Sequence, residues 1–306
     1  MPQSVEKKWP RNGFEPYFDY VSNFLHLNIN LGGPEGCKAY HDNWMRRYNS
    51  AMTKWSSYEA AIWSVRCRQS LKLSFSATFF ALSADKVGST TTIKSAEYYL
   101  AYYSMLHAMW AVIYLHPEQS LDHVTAITHS KIANVFHSEF ASGTNPVIVE
   151  NEKELAEDLR FLREYYSYRM PLNSPFAASP SLSLSYSRLG GFVKQSIQLA
   201  NLHSHMIRKV AERIGKCSAA VSVSEQAAFR DAFFKINGKE HQPRGLRLLD
   251  EADMQAQSEL ITMGCDLLPL SLGYDHMFDN FMTWDQDRPD EKMLQRVRSL
   301  VGNALF

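Results

Sequence analysis

The chain carries no excess of charge of either sign: 32 Lys and Arg balance 32 Asp and Glu. No net field therefore draws in nucleic acid from a distance, and any contact with it has to be local. Paired cysteines are missing too. Cys37, Cys67, Cys217 and Cys265 are widely separated and form no C-x-x-C unit, which speaks against a disulfide framework or a zinc ribbon and for free thiols in a reducing compartment. There is no glycine-rich phosphate loop, no H-E-x-x-H, no G-x-S-x-G and no pair of E-x-x-H helices, so neither a metal nor a cofactor is expected. The one long uncharged run, Tyr98 to Leu115, spreads five tyrosines, a serine and a histidine along its length. A lipid-facing helix would keep Tyr to its ends, so no membrane span is expected here. The first 13 residues are polar and no apolar segment follows at signal-peptide spacing, so a cytoplasmic location is expected.

What is present is an ordinary globular composition, 45% hydrophobic and 21% charged over 306 residues, and a pattern that is helical almost throughout. Trp44, Tyr48, Met52, Trp55, Tyr58, Ile62 and Val65 recur at spacings of three and four. Leu71–Ala84 is ambiguous, a continuation of that helix or a short strand, and Gly88-Ser89-Thr90 is expected to break it. Thr91–Leu115 reads as a long buried helix stopped by Pro117. His129–Phe140 reads as a shorter one. Leu155, Leu159, Leu162 and Tyr166 form one apolar stripe behind an Asn151/Glu154 capping signal. Pro171–Ser185 reads as a linker. Further helices are expected over 187–214, 227–236 (behind a Ser222/Glu225 capping box), 246–268 and 291–305. The expectation is an all-α fold of about nine helices with at most a short hairpin.

Three blocks in the middle of the chain go further. Ala101-Tyr102-Tyr103-Ser104-Met105-Leu106-His107-Ala108, then Thr128-His129-Ser130-Lys131-Ile132 with Phe136, then Leu162-Arg163-Glu164-Tyr165-Tyr166-Ser167-Tyr168, resemble in order and approximate spacing the helices of a HEPN domain. The resemblance covers about residues 91–172. It implies an antiparallel helical bundle over 50–175, flanked by an N-terminal extension (1–49) and a C-terminal helical region (176–306), and it implies a homodimer. The active members of that superfamily cleave RNA without a metal, using Arg and His at R-x4–6-H on the last bundle helix. They belong to prokaryotic conflict systems, toxin–antitoxin or antiphage defence.

The chain departs from that signature, since Tyr168 stands where the histidine is expected after Arg163. The resemblance therefore carries over Arg163 and Tyr168 as the catalytic positions, with His107, His129 and Arg169 as candidates for contacting RNA or a nucleotide. An Arg stabilises charge on a phosphoryl group and an imidazole moves protons near neutral pH. The bland readings stand beside these. Arg163 also fits a solvated face laced with i, i+4 pairs, His107 a hydrogen-bonded core histidine, and the whole bundle a non-catalytic scaffold for a protein partner.

Overall fold

The computed structural model describes residues 31–90, 94–142, 146–148, 152–169, 184–283 and 290–306. Among them are eleven α-helices and one two-stranded hairpin, an all-α fold. The helices are α1 (Pro34–Met52), α2 (Ser57–Thr90), α3 (Lys94–Ile113), α4 (Leu121–Ala126), α5 (His129–Phe136), α6 (Glu152–Glu164), α7 (Tyr186–Arg213), α8 (Gln226–Asn237), α9 (Glu251–Met263), α10 (Leu270–Thr283) and α11 (Glu291–Leu305). No helix is long and apolar enough to cross a membrane among the described residues.

The frame is the antiparallel pair α2 and α3. Small residues let the two approach, and the buried serines that result send their hydroxyls to the other helix. Ser70 Oγ donates to Ala111 O at 2.7 Å and Ser104 Oγ to Ala77 O at 2.7 Å. These bonds, with Ser76 against His107, fix the register. Helix α2 runs unbroken through Leu71–Ala84 because it is covered on nearly every side by α3, α7, α8, α10 and α11. That is why its apolar residues show no period. The expected break at Gly88 is absent; the helix continues to Thr90. Gly88 serves a different need there: a Cβ on it would stand 2.1 Å from the Tyr186 hydroxyl and 2.9 Å from the Glu97 carboxyl carbon. Tyr186 Oη donates to buried Glu97 at 2.5 Å, tying the start of α7 to α3.

Helix α7 lies along α1, α2 and α3, and one hydrophobic core runs from Leu31 to Leu305 across both expected boundaries. Asn201 and Ser204 on α7 accept from Ser271 N (3.1 Å) and Leu270 N (3.0 Å) at the head of α10, while Asn201 Nδ2 donates to Leu305 O at 3.0 Å. The C-terminal region is thereby stitched into the same core.

Three further expectations are corrected. The periodic stretch from Trp44 to Val65 is not one helix but the end of α1, which stops at Met52, and the start of α2 at Ser57. The 246–268 segment is not one helix. Leu246–Leu248 pairs with Lys239–His241 as an antiparallel hairpin, and the helix runs only from Glu251, capped by Asp250, to Met263, where Gly264 turns at φ 68°. Ser222 and Glu225 form half a capping box. Glu225 accepts from Ser222 N at 3.2 Å, but the serine hydroxyl turns to the same carboxylate rather than to the helix. The Asn151 cap and most of the 171–185 linker lie outside the described residues.

Candidate functional site

Helix α3 presents a half-exposed aromatic ladder. Tyr99, Tyr103, His107 and Trp110 follow at i, i+4, i+8 and i+11, with successive ring centroids 4.6, 6.1 and 6.4 Å apart. Tyr102 joins it, edge-on to Tyr103 at 5.5 Å. Helices α5 and α6 flank this ladder and bring the sequence candidates onto it. His129, the first residue of α5, sets its ring 5.6 Å from Tyr103 and its Nδ1 3.4 Å from the Tyr102 hydroxyl. Arg163, in the last turn of α6, lays its guanidinium 4.2 Å over the Tyr102 ring, a cation–π contact. Its side chain is 14% exposed and grips Glu164 only at 3.4 Å. The Arg163 Nε is buried and has no hydrogen-bond partner among the described residues.

Burial, aided by the neighbouring Arg163 charge, lowers the affinity of His129 for a proton. His107 is pushed down to about 4, first by burial and then by His129. It bonds Ser76 Oγ at 2.9 Å and packs on Phe80 at 5.2 Å, so it supports the ladder from the α2 side. The candidates on α6 beyond Arg163 behave differently. Tyr168, 73% exposed, and Arg169, also exposed, sit on a π-helical turn, Tyr165–Arg169, that widens the end of α6. Neither lines the cleft described next, nor do Arg163 and His107; Arg163 borders it only through Tyr102, on which it stacks.

Between α3, α5 and α6 lies a cleft of about 220 Å³. Its apolar side is Met105, Leu106 and Met109 of α3. One end is marked by Tyr102, His129 and Arg160, the other by His137, Glu152 and Lys153. The volume is below that of an ordinary cofactor site and suits one ring system on a polar chain. Sequence reading missed Tyr102 as the seat of Arg163, and it missed His137 with Glu152, whose side chains bond each other across 15 positions of chain. The helical spacing of Tyr99, Tyr103 and His107 was the one readable signal of the ladder. Among the described residues no group of three His, Cys, Asp or Glu is placed to hold a metal ion.

The three segments that carry the HEPN resemblance thus meet at one place: Tyr102 and His107 from the first, His129 from the second, Arg163 from the third. No family model, no curated protein and no solved structure matches the chain.

Proposed function

We propose that the protein is a HEPN-like member of a prokaryotic conflict system and that the α3–α5–α6 cleft binds a single-stranded RNA segment or nucleotide. The observation that carries this is Arg163: a guanidinium stacked on Tyr102, whose ring lines the cleft, with a buried Nε–H that has no partner among the described residues. An unpartnered buried donor costs about 1–3 kcal/mol, and a phosphate oxygen supplies what it lacks with a charge-assisted bond. Single-stranded RNA is recognised by bases splayed onto aromatic and Arg planes, and Tyr102 with the methionine side offers such a seat. The balanced net charge favours a short segment over a long backbone track.

Arg163→Ala is expected to weaken binding of a fluorescent single-stranded oligoribonucleotide at least tenfold by anisotropy, and Arg163→Lys to restore little of it, because lysine cannot stack flat on Tyr102. Equal affinities in the three proteins would remove Arg163 from the site.

A second reading, a scaffold for a protein partner without catalysis, draws on the outer face of α6. Phe161 is 56% exposed and stacks on Tyr165 at 5.9 Å, with Tyr168 beyond it. The homodimer implied by the resemblance would use this same row, and sedimentation equilibrium decides between one copy and two.

A further inference from the structure

The end of the cleft away from Tyr102 offers more hydrogen-bond acceptors than donors. A π-helical turn, His137–Ala141, follows α5 directly. Such turns rotate the side chains at a helix end and recur at functional sites. Here the turn sets His137 in the wall of the cleft, where its Nδ1 meets Glu152 Oε1. Glu152 is 4% exposed and sits in the first turn of α6. An ionised carboxylate only accepts, so Nδ1 carries the hydrogen, and the lone pair of a neutral imidazole lies on Nε2. Neither that Nε2 nor the second oxygen of Glu152 bonds a described residue. His137 and Glu152 therefore bring two acceptors to the cleft wall. Lys153, the next residue of α6, adds an ammonium donor on the same rim. Ser130 and Asn134 also line the cleft, but each can both give and take a hydrogen bond.

Met105, Leu106 and Met109 form the side that the face of a flat ring would cover, and thioethers sit favourably against such rings. His129 and His137 are eight residues apart, about 12 Å of helical rise, a length of the same order as one nucleotide from base edge to phosphate. A nucleotide whose phosphate lies at the Tyr102–His129–Arg160 end, with Arg163 behind Tyr102, turns its base edge to His137, Glu152 and Lys153. The bases differ in what that edge presents. Guanine has two donors, N1–H and the N2 amino group, beside one acceptor, O6. Adenine has one amino group and one acceptor, and cytosine and uracil each have two acceptors and a single donor group. Only guanine matches two acceptors beside one donor. Any other base leaves a buried acceptor unpaired, which is how a hydrogen-bonding site discriminates.

We propose that this end of the cleft reads guanine: Glu152 and His137 accept from N1–H and the N2 amino group, and Lys153 donates to O6. This rests on the reading that the cleft takes single-stranded RNA or a nucleotide, and adds which base it selects.

The test uses the full chain at pH 7.5 with fluorescein-labelled oligoribonucleotides UUXUU, where X is guanine, inosine, adenine, cytosine or uracil, and reads affinity by anisotropy. Guanine is expected to bind about 30-fold or more tightly than adenine, cytosine or uracil, and inosine, which lacks the N2 amino group, about fivefold more weakly than guanine. Glu152→Gln puts a donor beside an acceptor and is expected to bring guanine and adenine within about threefold of each other. The readout is a ratio of affinities, so a general loss of binding does not imitate that result. Lys153→Met, on the exposed rim, is expected to weaken the guanine and inosine oligonucleotides alike, since both carry O6, and to leave adenine unchanged. Equal affinity for all the oligonucleotides, or a guanine preference retained in Glu152→Gln, overturns the proposal and leaves the cleft as an RNA site standing. Binding of none of them overturns both.

Discussion

Arg66→Ala is expected to cost about 3–5 kcal/mol, the cost of breaking a buried charged network, a large share of the about 5–15 kcal/mol that natural domains hold. Arg66 is 3% exposed, lies 3.8 Å over the Trp63 ring, and has no carboxylate partner among the described residues. Each of its three nitrogens donates to backbone: Nε to Tyr114 O at 2.7 Å, one terminal nitrogen to Gln119 O at 2.9 Å and the other to His116 O at 3.2 Å. These carbonyls follow the last turn of α3, where a helix leaves acceptors without intrahelical donors. Tyr48 takes the one between them, Leu115 O, at 2.9 Å. Removing the guanidinium therefore strands the Tyr114 carbonyl in the core, leaves His116 O to the Gln119 N–H alone, and opens a cavity beside Trp63. Burial of the charge lowers the Arg66 pKa to about 10, so the side chain remains cationic at neutral pH. Arg66→Lys keeps the charge but not the fork, and should fall between. Urea midpoints followed by circular dichroism measure the series; a loss below about 1 kcal/mol for Arg66→Ala would show that these bonds are replaced by others.

Acid is expected to unfold the protein well above the pH at which carboxylates titrate. Three histidines are held neutral by burial: His203 at about 3, His107 at about 4 and His205 at about 4. His203 shows why. Tyr48 has a single hydroxyl hydrogen and gives it to Leu115 O, so it accepts from His203 Nδ1 at 2.8 Å. Tyr40 donates to Nε2, also at 2.8 Å. Both ring nitrogens are satisfied in the neutral form, and an added proton would face a donor. His116, also lowered chiefly by burial, adds to the effect. In the unfolded chain an imidazole protonates near 6.5. Between about 6.5 and 4 the unfolded state therefore binds more protons, and stability falls as pH falls. At pH 5 each of the three accounts for about 2 kcal/mol, about 6 kcal/mol together. Urea midpoints at pH 7.5, 6 and 5 should drop steeply, with a shallower slope in His203→Gln. A flat profile between pH 7 and 5 would mean that these imidazoles reach solvent.

The stripe Leu155, Leu159, Leu162 and Tyr166 was legible because α6 buries one face only, and all four residues are buried. Of the face expected at Ile132, Val135, Phe136 and Phe140, all but the half-buried Val135 are buried, and they were legible for the same reason. Helix α2 was not, since a helix covered all round has no polar face to set a period against. The hairpin at 239–248 was hidden because every residue of its strands is exposed, so no alternation of burial marks it. Arg163, His129 and His107 could be named from the resemblance, whereas their meeting on the α3 ladder, with only His129 lining the cleft, depends on packing between helices. His137 with Glu152 depends on the π-helical turn after α5 and on how α6 packs beside it, which no periodicity records.

The most direct measurement is isothermal titration of the full chain with a short single-stranded oligoribonucleotide, beside Ala156→Trp. Ala156 lines the cleft and is half-buried, so the indole fills the space without removing any polar group. Saturable one-site binding by the parent, lost in Ala156→Trp at an unchanged urea midpoint, is the predicted result. Binding of equal strength in both proteins would place the RNA elsewhere and contradict the cleft as the functional site.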